Sequence, residues 1–252
     1  MKIIATDYDG TLNHKGITEK KKKAIDLWRE KGNLFGVVSG RGINSLFDVI
    51  KDKAFGYDFL IANNGAVICD KSLNILTETK FEGNIIKPFI IDLFSWGCPF
   101  VNVDSLKTPY MTRTDLNEIG EGEYSIETLP KIDFFNQMNT MLENNEEAEK
   151  IVVKIEEKYK GILTPLQNGR CIDIVPFGVN KASGIYELLK VVGGAYEDVI
   201  TVGDNINDIH MIKEFRSYAM ANGVDKIKEL ADYVTLGITE LIETELGVTI
   251  DE

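Results

Sequence analysis

Residues 1–12 read MKIIATDYDGTL, and this stretch holds the pattern from which the fold can be worked out. An apolar run ends in charge at Asp7, which predicts a buried strand that stops at this carboxylate. Successive strand residues point to opposite faces, so Asp7 and Asp9 begin on the same side, and Gly10 allows a tight turn after them. Such a pair can divide its work between a nucleophile or ion ligand and an acid or base. The spacing alone is equally compatible with a solvated loop that carries two acids.

Strands and helices alternate after this first strand. A helical period extends from about Thr18 to Lys31, and β-rich runs at Leu34–Val38 and Phe59–Ala62 follow with a helix between them. The same alternation resumes at Asn180 and continues through the strand that ends at Gly203. This order predicts a parallel sheet with helices on both faces, which places ligands at the carboxyl ends of its strands.

The middle of the chain has a different pattern. Residues 66–69 and 73–79 are typical of short antiparallel strands, and the next hundred residues mix aromatic-rich and acidic pieces. Two helices, at 85–96 and 145–159, and a hairpin around Asn168-Gly169 are predicted there. We therefore expect an α+β domain, residues 82–177, inserted into a discontinuous core of residues 1–81 and 178–252.

The amino-acid composition disfavours several classes of binding partner. The 28 Lys and Arg against 40 Asp and Glu give a formal net charge of −12, which disfavours binding to nucleic acid or to an anionic membrane. The three cysteines are far apart in sequence and form no zinc or disulfide pattern. No apolar run approaches the roughly 18 residues of a membrane span. We expect a cytoplasmic protein; the sequence does not indicate its oligomeric state.

Two further strand ends carry residues suited to anions and cations. Ser39-Gly40 offers a hydroxyl and backbone N–H groups at the start of a helix, which suits a phosphate oxygen, although an ordinary helix cap is an alternative. Asp204 and Asp208, four residues apart at another strand-to-helix junction, can address one ion. Carboxylates in this arrangement suit Mg²⁺, and a helix cap with a turn is the other interpretation.

The motifs DYDGTL, VVSGR, GVNKASGI and GDNINDIHM occur in this order along the chain. Together they resemble the four motifs of the haloacid dehalogenase superfamily, in particular its Cof-type (subclass IIB) phosphatases. The resemblance covers both halves of the predicted core. It implies a Rossmann-like parallel-sheet core with an inserted α+β cap that controls substrate choice and access of water.

The resemblance also implies roles for individual residues. Asp7 would be the nucleophile that forms an aspartyl-phosphate, and Asp9 the acid that protonates the leaving group and then the base that activates water. The positions that would bind the substrate are Ser39, Lys181, Asn207, Gly10 and Gly40.

A magnesium site is implied at the same strand ends. Asp7, the backbone carbonyl of Asp9 and Asp204 would coordinate Mg²⁺. Asp208 would hold either the ion or Lys181 in place. A basic residue among four acids is consistent with this chemistry, because a carboxylate that attacks a phosphate dianion needs compensating positive charge.

These observations predict a Mg²⁺-dependent phosphatase that acts on a small phosphate ester, with sugar phosphates as the first candidates. A phosphomutase of the same superfamily and a noncatalytic regulator phosphorylated on aspartate are the alternatives. Within the predicted cap, the sequence does not rank the possible substrate ligands Arg113, Asn136, Gln137 and Asn168. The basic run Lys20–Lys23 is interpreted as a solvated helix face.

Overall fold

The structure is a computed structural model that describes residues 1–106, 110–114, 120 and 122–251. The chain separates into two compact units. One combines Met1–Thr77 with Asn180–Glu252, and we call it the core unit; the other, Glu78–Val179, is the inserted unit. The catalytic and substrate-selecting roles predicted for the two parts stay predictions.

The strands and helices are numbered in chain order. The strands are β1 (Ile3–Asp7), β2 (Leu34–Val38), β3 (Phe59–Ala62), β4 (Val67–Asp70), β5 (Ile75–Glu78), β6 (Phe81–Glu82), β7 (Phe100–Asp104), β8 (Tyr110–Arg113), β9 (Glu123–Tyr124), β10 (Phe134–Phe135), β11 (Gln137–Met141), β12 (Leu163–Asn168), β13 (Cys171–Pro176), β14 (Val199–Gly203), β15 (Arg216–Met220) and β16 (Tyr233–Thr235). The helices are α1 (Glu19–Glu30), α2 (Ile43–Ile50), α3 (Ile86–Ser95), α4 (Asn145–Lys158), α5 (Lys181–Val192), α6 (Ile209–Glu214), α7 (Asp225–Leu230) and α8 (Ile238–Leu246).

The core unit is organised by an eight-stranded sheet in the order β16-β15-β14-β1-β2-β3-β4-β5. The strands from β16 to β3 run parallel, and β4 pairs antiparallel with β3. Every residue of β1 is buried, as expected for a central strand covered on both faces. The predicted parallel α/β sheet is confirmed.

Local signals explain where the helices of the core unit begin. Thr18 caps α1 by accepting a hydrogen bond from the Lys21 backbone N–H at 3.2 Å. Asn180 and Ser183 form a reciprocal capping box that starts α5, with hydrogen bonds of 3.0 and 2.9 Å. This cap fixes the position of Lys181, the first residue of α5.

The inserted unit contains a six-stranded sheet in the order β12-β13-β11-β7-β8-β9. Its neighbours pair antiparallel except β8 and β9, which pair parallel. Apolar residues of α3 and α4, among them Phe89 and Ile155, pack with the sheet residues Val101 and Ile174 in one core. The predicted α+β insertion and the hairpin formed by β12 and β13 are confirmed.

The prediction omitted two features of the fold. Helix α8, which lies against α1, had no predicted counterpart. The two-residue strands β6, β9 and β10 were also not predicted, because a segment this short has no measurable period. Among the described residues, no helix has both the length and the apolar character needed to cross a membrane.

Candidate active site

The candidate site lies where three parallel strands end. β1 is paired with β2 on one side and with β14 on the other. Asp7 is the last residue of β1, Ser39 follows β2 and Asp204 follows β14. The observed order β14-β1-β2 therefore brings these three motifs to one edge of the sheet.

A buried lysine connects two of the acids. Lys181 is 1% exposed, and its Nζ donates hydrogen bonds of 2.6 Å to Asp7 Oδ1 and 2.6 Å to Asp208 Oδ1. Burial opposes the charge of the ammonium group, but the carboxylates of Asp208 and Asp7 outweigh it and raise the pKa of Lys181. Lys181 is therefore protonated and supplies positive charge inside the acidic cluster.

Three carboxylates converge beside this lysine. One oxygen from each of Asp7, Asp204 and Asp208 lies within 4.8 Å of the others. Burial, reinforced by Asp208 and Asp204 and opposed by Lys181, raises the pKa of Asp7 to about 8. Burial also raises the pKa of Asp204. With all three carboxylates ionised, they and the one ammonium leave two negative charges, so the group fits a divalent cation with a preference for oxygen ligands.

Asp208 organises the loop after β14. Its Oδ2 accepts hydrogen bonds from the backbone N–H groups of Asp204 at 2.9 Å and Asn205 at 3.1 Å, while its Oδ1 accepts from Lys181. Both oxygens are thus engaged by donors of the protein. This geometry favours the second of the predicted options, in which Asp208 holds Lys181. Asn207 lies in the short helical turn between Asp204 and Asp208 and is partly buried.

The turn after Asp7 requires glycine. Gly10 has φ of +82°, and a Cβ added there would lie 2.8 Å from Asp204 Cγ. The next residue, Thr11, donates a hydrogen bond of 2.6 Å to Asp204 Oδ1. Asn222 donates from Nδ2 to the Gly10 carbonyl at 3.0 Å. Thr11 had no predicted role, yet it orients one of the three clustered carboxylates.

Asp9 has a different partner from the three clustered carboxylates. The side chain of Asp9 is 53% exposed, and the Arg41 guanidinium holds both of its oxygens, with Nε–Oδ2 at 2.7 Å and Nη2–Oδ1 at 3.0 Å. Asp9 is not part of the group of carboxylates that could share a metal ion. The predicted coordination by its backbone carbonyl stays a prediction. Arg41 belongs to the VVSGR motif and had no predicted role, although its place at a strand end was a usable signal.

Ser39 is fixed by the turn Asn63–Gly65. Ser39 is 2% exposed, and its carbonyl accepts a hydrogen bond of 3.0 Å from the Asn64 N–H. Asn63 and Asn64 both have positive φ, at 52° and 53°. The adjacent Gly65 packs so closely on Gly184 of α5 that a Cβ on Gly184 would lie 2.6 Å from the Gly65 Cα. One turn therefore contacts both the Ser39 loop and the helix that begins with Lys181. Gly40, between Ser39 and Arg41, is partly buried.

The structure gives contacts to two of the four candidate ligands in the inserted unit. Arg113 pairs with Glu123 at 2.6 and 3.1 Å. Asn136 is fully buried and donates from Nδ2 to Glu78 Oε1 at 2.9 Å and to the Thr79 carbonyl at 3.1 Å. Gln137 is buried, and Asn168 is exposed at the end of β12. Whether any of them contacts a substrate stays a prediction.

The interpretation of Lys20–Lys23 as a solvated face is wrong for Lys21. Lys21 is 8% exposed, and its Nζ donates to the carbonyls of Leu12 at 2.6 Å, Gly16 at 2.8 Å and His14 at 3.2 Å. Lys21 therefore anchors the loop that follows the Asp7–Thr11 turn. The helical period was the missed signal, because the buried residues Ile25 and Trp28 follow at i+4 and i+7 on the same face.

The chain is similar to known proteins of one family. Residues 4–240 match the family of haloacid dehalogenase-like hydrolases. The chain is 26% identical over 238 residues to a 5-amino-6-(5-phospho-D-ribitylamino)uracil phosphatase of Bacillus subtilis, covering 93% of this chain and 90% of the relative. It is 25% identical over 264 residues to a phosphatase of the same name from Escherichia coli, covering 92% and 90%. A solved haloacid dehalogenase-like hydrolase from B. subtilis shares the fold, with a TM-score of 0.82, 20% identity and coverage of 96% and 99%.

Proposed function

The chain belongs to the haloacid dehalogenase-like hydrolases, and we propose that it is a Mg²⁺-dependent phosphatase that hydrolyses a small phosphorylated metabolite through an aspartyl-phosphate on Asp7. The enzyme class, a phosphoric monoester hydrolase, is confirmed by the family match and by the relatives named phosphatases. The observation that carries the finer proposal is the buried ammonium of Lys181, which lies between Asp7 and Asp208 with Asp204 in the same cluster.

Asp7 is the proposed nucleophile. In the first half-reaction a carboxylate oxygen of Asp7 bonds to phosphorus while the bond from phosphorus to the ester oxygen breaks. A carboxylate approaching a phosphate dianion meets repulsion, and the adjacent Lys181 ammonium reduces it. Water then attacks phosphorus in the second half-reaction, which releases inorganic phosphate and restores the Asp7 carboxylate.

The group Asp7, Asp204 and Asp208 fits the divalent metal that haloacid dehalogenase phosphatases generally use. Asp7 and Asp204 are the proposed Mg²⁺ ligands together with the Asp9 carbonyl, and Asp208 keeps Lys181 and the Asp204 loop in place. When bound, the cation would offset the negative charge of the phosphoryl group and of the nearby carboxylates. Thr11 would orient the Asp204 carboxylate for this purpose through its hydrogen bond.

Asp9 is the proposed acid and base. Its proton passes to the ester oxygen as the leaving group departs, and its carboxylate then takes a proton from the attacking water. Ser39 and Asn207 are proposed phosphate ligands beside Lys181, with Gly10 and Gly40 allowing close approach of the backbone. The inserted unit is the proposed cap, in which substrate selection resides.

The substrate is proposed to be a sugar phosphate or a similar monoester of a small polyhydroxylated molecule. Two relatives are named as phosphatases of a phosphoribitylamino compound, whose phosphate is carried by a polyol chain. The Lys181 ammonium and a bound cation, both placed among carboxylates, would together hold the single phosphate group that such a substrate carries.

The test is phosphate release from a panel of esters by the full chain. The panel contains para-nitrophenyl phosphate, ribose 5-phosphate, glucose 6-phosphate and 5-amino-6-(5-phospho-D-ribitylamino)uracil, each measured with Mg²⁺ and with EDTA. We expect release that requires Mg²⁺ and is fastest with a sugar or ribityl phosphate. Failure to release phosphate from any ester, or equal release in EDTA, would contradict the proposal.

A further inference from the structure

Arg41 contacts Asp9 through both of its carboxylate oxygens. The pairs Nε–Oδ2 at 2.7 Å and Nη2–Oδ1 at 3.0 Å form a two-point ion pair, and Nη1 lies 3.4 Å from Ser45 Oγ. Two parallel hydrogen bonds fix the plane of a carboxylate as well as its position. Asp9 therefore has a defined orientation although its side chain is half-exposed.

The backbone of Arg41 is anchored in the Ser39 loop. Its N–H donates to Ser39 Oγ at 3.2 Å, and its carbonyl accepts a hydrogen bond of 2.8 Å from the Asn63 N–H. Because these bonds hold the base of the side chain, the guanidinium reaches Asp9 from a fixed point. The position of Asp9 is thus tied to the loop that carries a proposed phosphate ligand.

We propose that Arg41 is the positioning residue that presents the carboxyl group of Asp9 to the leaving-group oxygen. This inference rests on the proposed phosphatase function. In the phosphorylation step, the bond between Asp7 and phosphorus forms, the bond between phosphorus and the ester oxygen breaks, and that oxygen takes the proton of Asp9. Asp9 is left as a carboxylate opposite the guanidinium, which is the pair that the structure contains.

The leaving group provides a readout that a purely structural role would not change. A para-nitrophenolate departs without a proton, whereas the alkoxide of a sugar phosphate needs one. The value of kcat/KM includes the step in which the leaving group departs. Loss of correct placement of Asp9 therefore lowers kcat/KM for the sugar phosphate and spares para-nitrophenyl phosphate.

The experiment compares these two esters in Arg41→Gln, Arg41→Lys and Asp9→Asn, using the sugar phosphate that the unsubstituted chain hydrolyses fastest. We expect Arg41→Gln to lower kcat/KM for the sugar phosphate about 100-fold and for para-nitrophenyl phosphate less than about threefold. Asp9→Asn should show the same selectivity with a larger loss. Arg41→Lys should fall between the two, because an ammonium keeps the charge but not the two-point geometry.

Arg29→Gln is the matched control. Arg29 forms a two-point pair with Asp58, at 3.0 and 2.8 Å, in the same unit but away from the site residues. Its substitution removes an equivalent ion pair, so the ratio of kcat/KM for the two esters should not change. Thermal unfolding of each variant shows that the chain remains folded.

The outcomes separate this inference from the proposed function. If Arg41→Gln slows both esters equally or neither of them while the unsubstituted chain is active, the positioning role of Arg41 is overturned and the phosphatase remains. If the unsubstituted chain releases phosphate from no ester, the proposed function fails and this inference fails with it. A selective loss with the sugar phosphate, absent in Arg29→Gln, supports the inference.

Discussion

The two units differ in what they bury. Among the described residues, the buried Asp and Lys side chains are Asp7, Lys21, Lys181 and Asp208, and all four lie in the core unit. The inserted unit buries hydroxyls and amides, and its centre is apolar and aromatic. A buried charge is unfavourable unless partners compensate for it, and these four have such partners: Lys181 pairs with Asp7 and Asp208, and Lys21 donates to backbone carbonyls. The inserted unit has no buried Asp or Lys among its described residues, and its centre is held by apolar packing.

Substitution of Asp7 should show the largest contrast between the units. Asp7→Asn removes the proposed nucleophile, and we expect kcat to fall on the order of 10⁴-fold or more. In the inserted unit, Asp92→Asn removes a carboxylate that contacts Lys158 and Tyr159 and should leave kcat for para-nitrophenyl phosphate within about twofold. Release of para-nitrophenol measures both. Comparable losses in the two variants would show that the chemistry is not confined to the core unit.

Removal of a paired lysine should lower the free energy of unfolding more in the core unit than in the inserted unit. Lys181→Met leaves Asp7 and Asp208 close together without positive charge, and we expect a loss of about 3–5 kcal/mol in the free energy of unfolding in EDTA. Lys158→Met also removes an ion pair, with Asp92, but this lysine is exposed and the loss should be below about 1 kcal/mol. Urea unfolding of both variants measures the difference. Equal losses would mean that burial does not set the strength of these pairs.

Lys21 tests whether a buried ammonium with no carboxylate partner among the described residues behaves in the same way. Lys21→Met leaves the carbonyls of Leu12, His14 and Gly16 without this donor, and we expect a loss of about 2 kcal/mol. The neighbouring Lys22→Met removes only an exposed pair with Glu19 and should cost less than about 0.5 kcal/mol. Urea unfolding at neutral pH compares the variants. If Lys22→Met were as destabilising as Lys21→Met, the anchoring role of Lys21 would be wrong.

Substitution of Glu245, in the core unit, should have the smallest effect on the free energy of unfolding, and this effect should depend on pH. Burial opposes its charge, but hydrogen bonds from Lys2 and Tyr218 and the charge of Arg216 hold the pKa of Glu245 below its ordinary value. Because the folded pKa is lowered, this contribution is present above the unfolded pKa and disappears as the pH falls through the folded pKa. Glu245→Gln should lose about 1 kcal/mol at pH 7, and the gap to the unsubstituted chain should narrow below roughly pH 4.3. A gap that widened in acid would contradict this sign.

Sequence reasoning was strongest where a signal is local. The strand at Leu34–Val38 has the predicted bounds, because apolar runs and the polar clusters that end them are both visible in a few residues. Short and irregular strands such as β9 and β10 were missed for the opposite reason. The boundaries of regular elements therefore followed from the sequence, including α3, α4 and the β12–β13 hairpin of the inserted unit, whereas its shortest strands did not.

Contacts across the chain were harder to predict than the motifs that make them. The resemblance identified Asp7 and Lys181 separately, but their direct pairing spans 174 positions and depends on how α5 packs against the sheet. The pairs Arg41 with Asp9 and Thr11 with Asp204 were missed because no residue pattern encodes a side-chain rotamer. Lys21 was misread because a charged residue was assumed to be solvated despite its place on the apolar face of α1.

The division of the core unit along the chain affects how the protein is made. β1 emerges from the ribosome before its neighbour β14, because the whole inserted unit lies between them in the chain. β1 ends at Asp7 and β14 begins at Val199. At about 5–20 residues per second, translation of the roughly 190 intervening residues delays that pairing by about 10–40 s. During this interval one edge of β1 lacks its strand partner, and the Asp7 carboxylate lacks Lys181. The nascent chain is therefore most exposed to misassociation while the ribosome is translating the inserted unit.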